Sequence, residues 1–260
     1  MKKIGFFVAF TLSLVCLSSV QAQIKSVPDA INKAGRQRML TQRILRDYIQ
    51  LGIQVRPDIA AKELPEAVAL FESTMSDLKQ FAPDKAVSSA LADVEKLWKP
   101  VKAVATAAPD RAKAEQLWLD TENLLIACNT LVQRLEDVSD DDGNYLVNTA
   151  GLQRMLSQRA VVFHMMRAWG FSDPRYEQGF TETQGHFKLA MEELIDHDQT
   201  SAEIRSKLEE VQKLFVRFEK GAQGGTNNFV LGMMANSAYK ILNNLNDIVR
   251  MYELLVINKS

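Results

Sequence analysis

Apolar residues recur every three to four positions along almost the whole chain from residue 27 onward, while strict apolar–polar alternation is nearly absent. The pattern predicts eight helices, at roughly 27–55, 60–81, 85–106, 110–138, 144–170, 174–197, 201–220 and 226–257. Pro57, Pro83 and Pro109 punctuate the first four. Gly170 to Pro174, His197 to Thr200 and the Gly221 to Gly225 loop punctuate the rest. Ser26 ahead of Pro28 and Asp29 reads as a capped start, and Thr200 with Glu203 as a capping box. Pro100, inside the third helix, is expected to kink or shorten it. Four amphipathic helices of this length with short connections bury their stripes as an up-and-down bundle. The expected fold is therefore all-α: two tandem up-and-down four-helix bundles after a signal peptide. The divisions are 1–22 for the signal, 23–138 for the first unit, 139–146 for a linker and 147–260 for the second unit. The acidic joint Ser139-Asp140-Asp141-Asp142-Gly143 marks the boundary and reads as a solvated linker. Tyr145 stands where a calcium loop would need glycine.

The two-unit reading rests on a repeat. Asn-Lys-Ala-Gly-Arg-Gln-Arg-Met-Leu-Thr-Gln-Arg at 32–43 returns as Asn-Thr-Ala-Gly-Leu-Gln-Arg-Met-Leu-Ser-Gln-Arg at 148–159, with nine identical positions. Fainter matches follow at an offset of 117, Val94 to Trp98 against Val211 to Phe215 and Leu124, Leu125, Asn129 and Leu131 against Ile241, Leu242, Asn246 and Ile248. A buried stripe asks only for apolar residues of suitable volume, and a solvated face accepts most polar ones. Identity at Arg and Gln therefore points to duplication around a working site.

The N-terminus reads as an export signal: Lys2 and Lys3, an apolar run from Ile4 to Cys16, and a small-residue site at Val20-Gln21-Ala22, with cleavage expected after Ala22. Cleavage removes two lysines and no acid, leaving 29 basic against 32 acidic residues. That balance gives no electrostatic footprint for nucleic acid. Cys128 is then the one remaining cysteine, so no internal disulfide can form, and its leucine neighbours mark it as a buried small side chain. His164, His186 and His197 lie only in the second unit and without Glu-x-x-His spacing; no cofactor and no enzymatic activity is expected. Trp98, Trp118, Trp169 and Phe171 fall at helical spacing, as core residues do, with docking anchors as the other reading.

On a helix Gly35, Arg38 and Gln42 share one face, as do Gly151, Arg154 and Gln158. Glycine one turn before arginine lets a second helix approach while leaving room for the guanidinium, at a helix cost of about 1 kcal/mol against alanine. If the two first helices pack about a pseudo-two-fold axis, Arg38 and Arg154 face one another. Like charges about 6 Å apart repel by about 3 kcal/mol at an effective dielectric near 20, so an anion between them is one solution. Salt bridges confined to the bundle are the other. Arg43 and Arg159 face elsewhere and are expected to anchor each helix to acids of its own bundle.

The phrase Asn-x-Ala-Gly-x-Gln-Arg-Met-Leu-[Ser/Thr]-Gln-Arg, opening a four-helix unit behind an export signal, resembles the sensor domain shared by type IV pilus methyl-accepting chemotaxis transducers and nitrate/nitrite-sensing histidine kinases, the PilJ/NarX-like domain. The wording is nearer the pilus-transducer version. The resemblance implies a periplasmic sensor for a small oxyanion, nitrate or nitrite first. It implicates Gly35, Arg38, Gly151 and Arg154 as ligand-binding, with Gln42, Arg43, Gln158 and Arg159 in support. The kinases carry flanking membrane helices and signalling domains that this chain lacks, so a membrane sensor or pilus-associated partner is expected to carry the signal. The site could form within one chain or across a homodimer. The competing reading is an interaction protein that docks such a partner without any small ligand.

Overall fold

The computed structural model describes residues 23–139 and 143–259. The expected export signal lies outside the described residues, as do Asp140 to Asp142 of the joint. Eight helices make up the described chain: α1 Val27–Gly52, α2 Pro57–Phe81, α3 Lys85–Ala105, α4 Arg111–Glu136, α5 Gly143–Ala168, α6 Pro174–Asp196, α7 Ala202–Ala222 and α8 Asn228–Ile257. No strand occurs among the described residues. No helix there is long and apolar enough to cross a membrane.

Local chemistry explains most boundaries. Ser26 Oγ accepts from the Asp29 N–H, Asp84 from Val87, Asp110 from Ala112, Asp173 from Arg175, and Asn227 from Val230, each satisfying a backbone donor that a helix start leaves unpaired. Two expectations need correction. The cap of α7 is Ser201, whose side chain accepts from Ile204, and not Thr200. Thr200 is buried and donates instead to the Leu194 carbonyl at 2.7 Å, beside the Tyr252 hydroxyl. Helix α3 runs through Pro100 to Ala105 without being shortened. The α1–α2 turn begins at Ile53, three residues earlier than the apolar pattern suggested. Gln54 and Arg56 adopt left-handed backbone there, at φ 56° and 51°, and Pro57 opens α2.

Within the first half α1 packs on α2 and α4, and α3 on α4. The second half repeats this with α5 on α6 and α8, and α7 on α8. The most extensive interface joins the halves through α1 and α5. These two helices run parallel and in register at the repeat offset, since Gly35 and Gly151 face the same pair of guanidiniums and Gly52 faces Trp169. Helices α1 and α5 are consequently buried on nearly every side. A helix in that position is ordinarily apolar all round. These two bury Gln37, Arg38, Gln42, Arg46, Asp47, Gln50, Gln153, Arg154, Ser157 and Gln158, and each such group needs a partner.

Candidate functional site

The seam between α1 and α5 gathers the residues that the repeated phrase singles out. Arg38 is 2% and Arg154 1% exposed, although arginine is among the residues least often buried. A Cβ placed on Gly35 would lie 3.3 Å from Nη2 of Arg38 and 3.4 Å from Nη2 of Arg154. One on Gly151 would lie 3.3 Å from Arg154 Nη2 and 3.6 Å from Arg38 Nη2. Both glycines thus make room for both arginines, and the two guanidiniums meet within one chain. Two charges roughly 7 Å apart or closer repel by about 2 kcal/mol at an effective dielectric near 20.

A duplicated set of polar side chains opposes that repulsion. Arg38 donates from Nη1 to Asn129 Oδ1 at 3.0 Å and from Nη2 to Asn148 Oδ1 at 2.7 Å and to the Asn148 carbonyl at 3.3 Å. Asn148 Nδ2 in turn donates to Glu136 at 2.8 Å. In the other half Arg154 donates from Nη1 to Asn246 Oδ1 at 3.3 Å and from Nη2 to the Asn32 carbonyl at 3.1 Å. Asn32 Nδ2 donates to Glu253 at 2.7 Å. Each arginine therefore binds an asparagine of its own half's fourth helix and an asparagine of the other half's first helix. The second asparagine carries a glutamate behind it. The copies differ in one contact: Asn148 meets Arg38 through its side chain, whereas Asn32 meets Arg154 through its backbone. The Nε atoms of both arginines have no partner among the described residues.

Burial draws the Arg38 pKa down to about 10, with Glu136 opposing the shift. It draws Arg154 down to about 9, aided by the charges of Arg36 and Arg38 and opposed by Glu253. Both guanidiniums stay charged at neutral pH, and two cations, Arg36 and Arg38, act on Arg154. Cys128, beside Arg38, is fully buried, and burial pushes its thiol up to about 12, which leaves it unreactive.

The supporting residues lie further along the same seam. Arg43 sits 3.7 Å from Asp47 and 3.8 Å from Glu63, anchoring α1 within its own half. Arg159 does the opposite of what was expected. It reaches across to Glu122 of α4 in the first half with a two-pronged pair at 2.8 and 2.6 Å. Gln42 Nε2 points at the same Glu122 at 3.5 Å. Gln158 accepts from Arg46 across the seam and donates to the Ala238 carbonyl at 3.3 Å. Arg46 also binds Asp47 and Glu63, at 2.7 Å from its Nε and Nη2 respectively. Burial raises the Asp47 carboxyl to about 6 against the pull of Arg46.

Sequence reasoning passed over Asn32, Asn148, Glu136 and Glu253 as participants. A signal was present for all four. The asparagines open the repeated phrase, and the glutamates recur at the offset of 117 that already relates Asn129 to Asn246. Arg46 and Asp47 had no such signal, since Val162 and Phe163 replace them in the second half. Trp98 and Trp118 are buried core residues, and Trp169 and Phe171 pack partly buried against the core. His164 is buried and hydrogen-bonded to the Gly225 carbonyl at 2.9 Å. No group of three or more His, Cys, Asp or Glu that could hold a metal ion occurs among the described residues.

Comparison with known proteins adds one match. No curated protein and no solved structure matches the chain. Residues 20–121, which carry the first copy of the phrase and extend into α4, match the family model PilJ, described as type IV pili methyl-accepting chemotaxis transducer N-term.

Proposed function

We propose that the protein is a periplasmic, non-enzymatic sensor module that binds a small oxyanion at the α1–α5 seam and passes occupancy to a membrane-bound or pilus-associated partner. Nitrate or nitrite is the first candidate, by analogy with the nitrate-kinase version of this domain. The observation that carries the reading is the meeting of two buried arginines at two glycines, each arginine keeping one N–H without a partner. An oxyanion between planar guanidinium forks gains several charge-assisted hydrogen bonds at once and removes the repulsion between them. The PilJ match supports the sensor role and the connection to pili or membrane signalling.

A thermal-shift series with nitrate, nitrite, sulfate, phosphate and chloride at matched ionic strength tests this, since a ligand of the folded state raises stability as ln(1 + [L]/Kd). A selective rise for nitrate or nitrite, lost in Arg38→Gln and Arg154→Gln proteins that still fold, is the expected result. Equal responses to all five anions would refute it.

A second reading, a ligand-independent docking protein, draws on the same network. Asn129, Asn148, Asn246 and the Asn32 carbonyl already occupy the terminal nitrogens of both arginines, and Glu136 and Glu253 stand behind them. The seam would then be architecture. Capture of an envelope partner that is indifferent to anions and to both arginine substitutions would favour it.

A further inference from the structure

The two halves differ in charge along one cleft. Beside Arg154 a cavity of about 640 Å³ opens between α1 and α8, lined among others by Arg36, Arg43, Arg154, Lys207 and Arg250, with Asp247 the one acid on its wall. Its polar lining includes Asn32, Asn246 and Tyr239, and Met39, Leu242 and Met251 give it an apolar floor. The volume lies in the range of small-molecule sites and far exceeds the space that nitrate fills.

Comparison with the equivalent face of the first half shows how the cleft acquired its charge. There, Leu152 stands in place of Arg36, Ala90 in place of Lys207, Gln133 in place of Arg250, and Glu122 in place of Tyr239. Glu122 pairs with Arg159 on that face, where a smaller pocket of about 230 Å³ remains beside Leu152, Met155 and Arg159. On the α8 side the pseudo-equivalent of Arg159 is Arg43, and it meets a tyrosine position, so its acids come from Asp47 and Glu63 on its own half. Around this cavity Arg36, Lys207 and Arg250 replace neutral residues and Tyr239 replaces an acid, while Asp247 replaces Thr130 and Met251 replaces Arg134, so the cleft is on balance the more cationic of the two faces.

Two of these cations keep donors that no described residue accepts from. Arg36 is half-buried and its side chain has no hydrogen bond or ion pair among the described residues; its nearest opposing charges, Asp29 and Glu253, act only at a distance. Arg154 is nearly fully buried, with Nε unpartnered. Arg250 stands 3.7 Å from Glu253 and Lys207 3.5 Å from Asp247, both loose pairs. Holding unpaired guanidiniums out of water costs stability unless something negative completes them.

We infer that the α1–α8 cleft is a binding site for an organic anion carrying two or more carboxylate or phosphate groups. Arg154 holds one group at the inner end, Arg36 and Arg250 hold the others, and the ligand's carbon skeleton lies on Met39, Leu242 and Met251. The inference shares with the proposed function Arg154 and the premise that the protein binds anions. Its decisive residues, Arg36 and Arg250, are outside the seam pair, and Arg38 is outside the cleft.

Titration calorimetry of the full chain with citrate, 3-phosphoglycerate and nitrate, each at matched ionic strength, tests it. Citrate or 3-phosphoglycerate should bind saturably, and Arg36→Leu, which installs the residue of the other half, should weaken that binding at least tenfold. Arg250→Gln, installing its counterpart, should do the same, while Arg38→Gln leaves it within about twofold. Thermal melts in chloride confirm that the variants are folded. Which of the two probes binds distinguishes carboxylate from phosphate recognition. Absence of saturable binding for both, or unchanged affinity in Arg36→Leu protein, overturns the site. Loss of a nitrate response in Arg38→Gln protein bears on the seam reading alone.

Discussion

If Asn148 bridges Arg38 to Glu136, substitutions at Arg38 and Asn148 must be strongly coupled. Asn148→Leu keeps similar volume but removes two hydrogen bonds to charged groups, at 2.7 and 2.8 Å. At about 1.5–3 kcal/mol each, and with Glu136 half-exposed and able to recover water, the expected loss is about 3–4 kcal/mol. Arg38→Met removes the bonds to Asn129 and Asn148 but also relieves about 2 kcal/mol of repulsion from Arg154, leaving a net loss of about 2 kcal/mol. Both single variants lose the Arg38–Asn148 bond, so the double variant should be less destabilised than the sum by about 2 kcal/mol. Urea unfolding followed by circular dichroism measures the cycle. The pseudo-equivalent cycle, Arg154→Met with Asn32→Leu, should give a coupling below about 1 kcal/mol, because Asn32 meets Arg154 through its backbone. Additivity within about 0.5 kcal/mol in the first cycle, or equal coupling in both, would refute the bridging argument.

Two further outcomes follow from single positions. A Cβ on Gly52 would lie 2.2 Å from Trp169, whose ring is held against Tyr48 and Phe171, so Gly52→Ala should cost about 1–3 kcal/mol despite its better helix propensity. Adding Trp169→Leu should recover most of that loss in the same urea assay. His164 donates from Nε2 to the Gly225 carbonyl while its buried Nδ1 has no partner, so burial lowers its pKa in the folded state. The unfolded chain then binds the extra proton first: the contribution of His164 is fully present above about pH 6.5 and falls as pH drops below it. His164→Gln should flatten the melting temperature between about pH 5 and 6.5, and an unchanged pH profile would contradict the assignment.

The helices were legible because their period of 3.6 and their Pro, Gly, Ser and Asp boundaries are local signals, and the α1–α5 pairing because the repeat demands a symmetric partner for each glycine–arginine face. Partner choice at the ends of long side chains was not legible. Arg159 and Arg43 occupy equivalent places in the phrase, yet one crosses to the other half and one stays, depending on whether Glu122, 37 residues behind, or Tyr239, far along the chain, faces it. Thr200 and Ser201 are both competent caps by composition. Only the burial of Thr200 against Leu194 and Tyr252 decides between them. The bridging asparagines were hidden for a different reason: their role depends on the register between α1 and α5, which no single helix encodes.

Covalent duplication also matters to what the seam can do. In a homodimer of one half, every substitution would appear twice, on both sides of the axis. An arginine at the Arg36 position would then also stand at the Leu152 position, adding a second cation beside Arg38. Burial already draws both central arginines well below their ordinary pKa, and Arg36 adds to that pressure on Arg154. Doubling it would load the same low-dielectric seam with four guanidiniums against Glu136 and Glu253 alone. With both halves in one chain, the symmetric core of two arginines, four asparagines and two glutamates is retained. One flank carries Leu152 and the Arg159–Glu122 pair beside a pocket of about 230 Å³, and the other is free to become cationic around a cavity of about 640 Å³. The symmetric residues thus hold α1 against α5, and the asymmetric ones set the charge and the width of the two flanks.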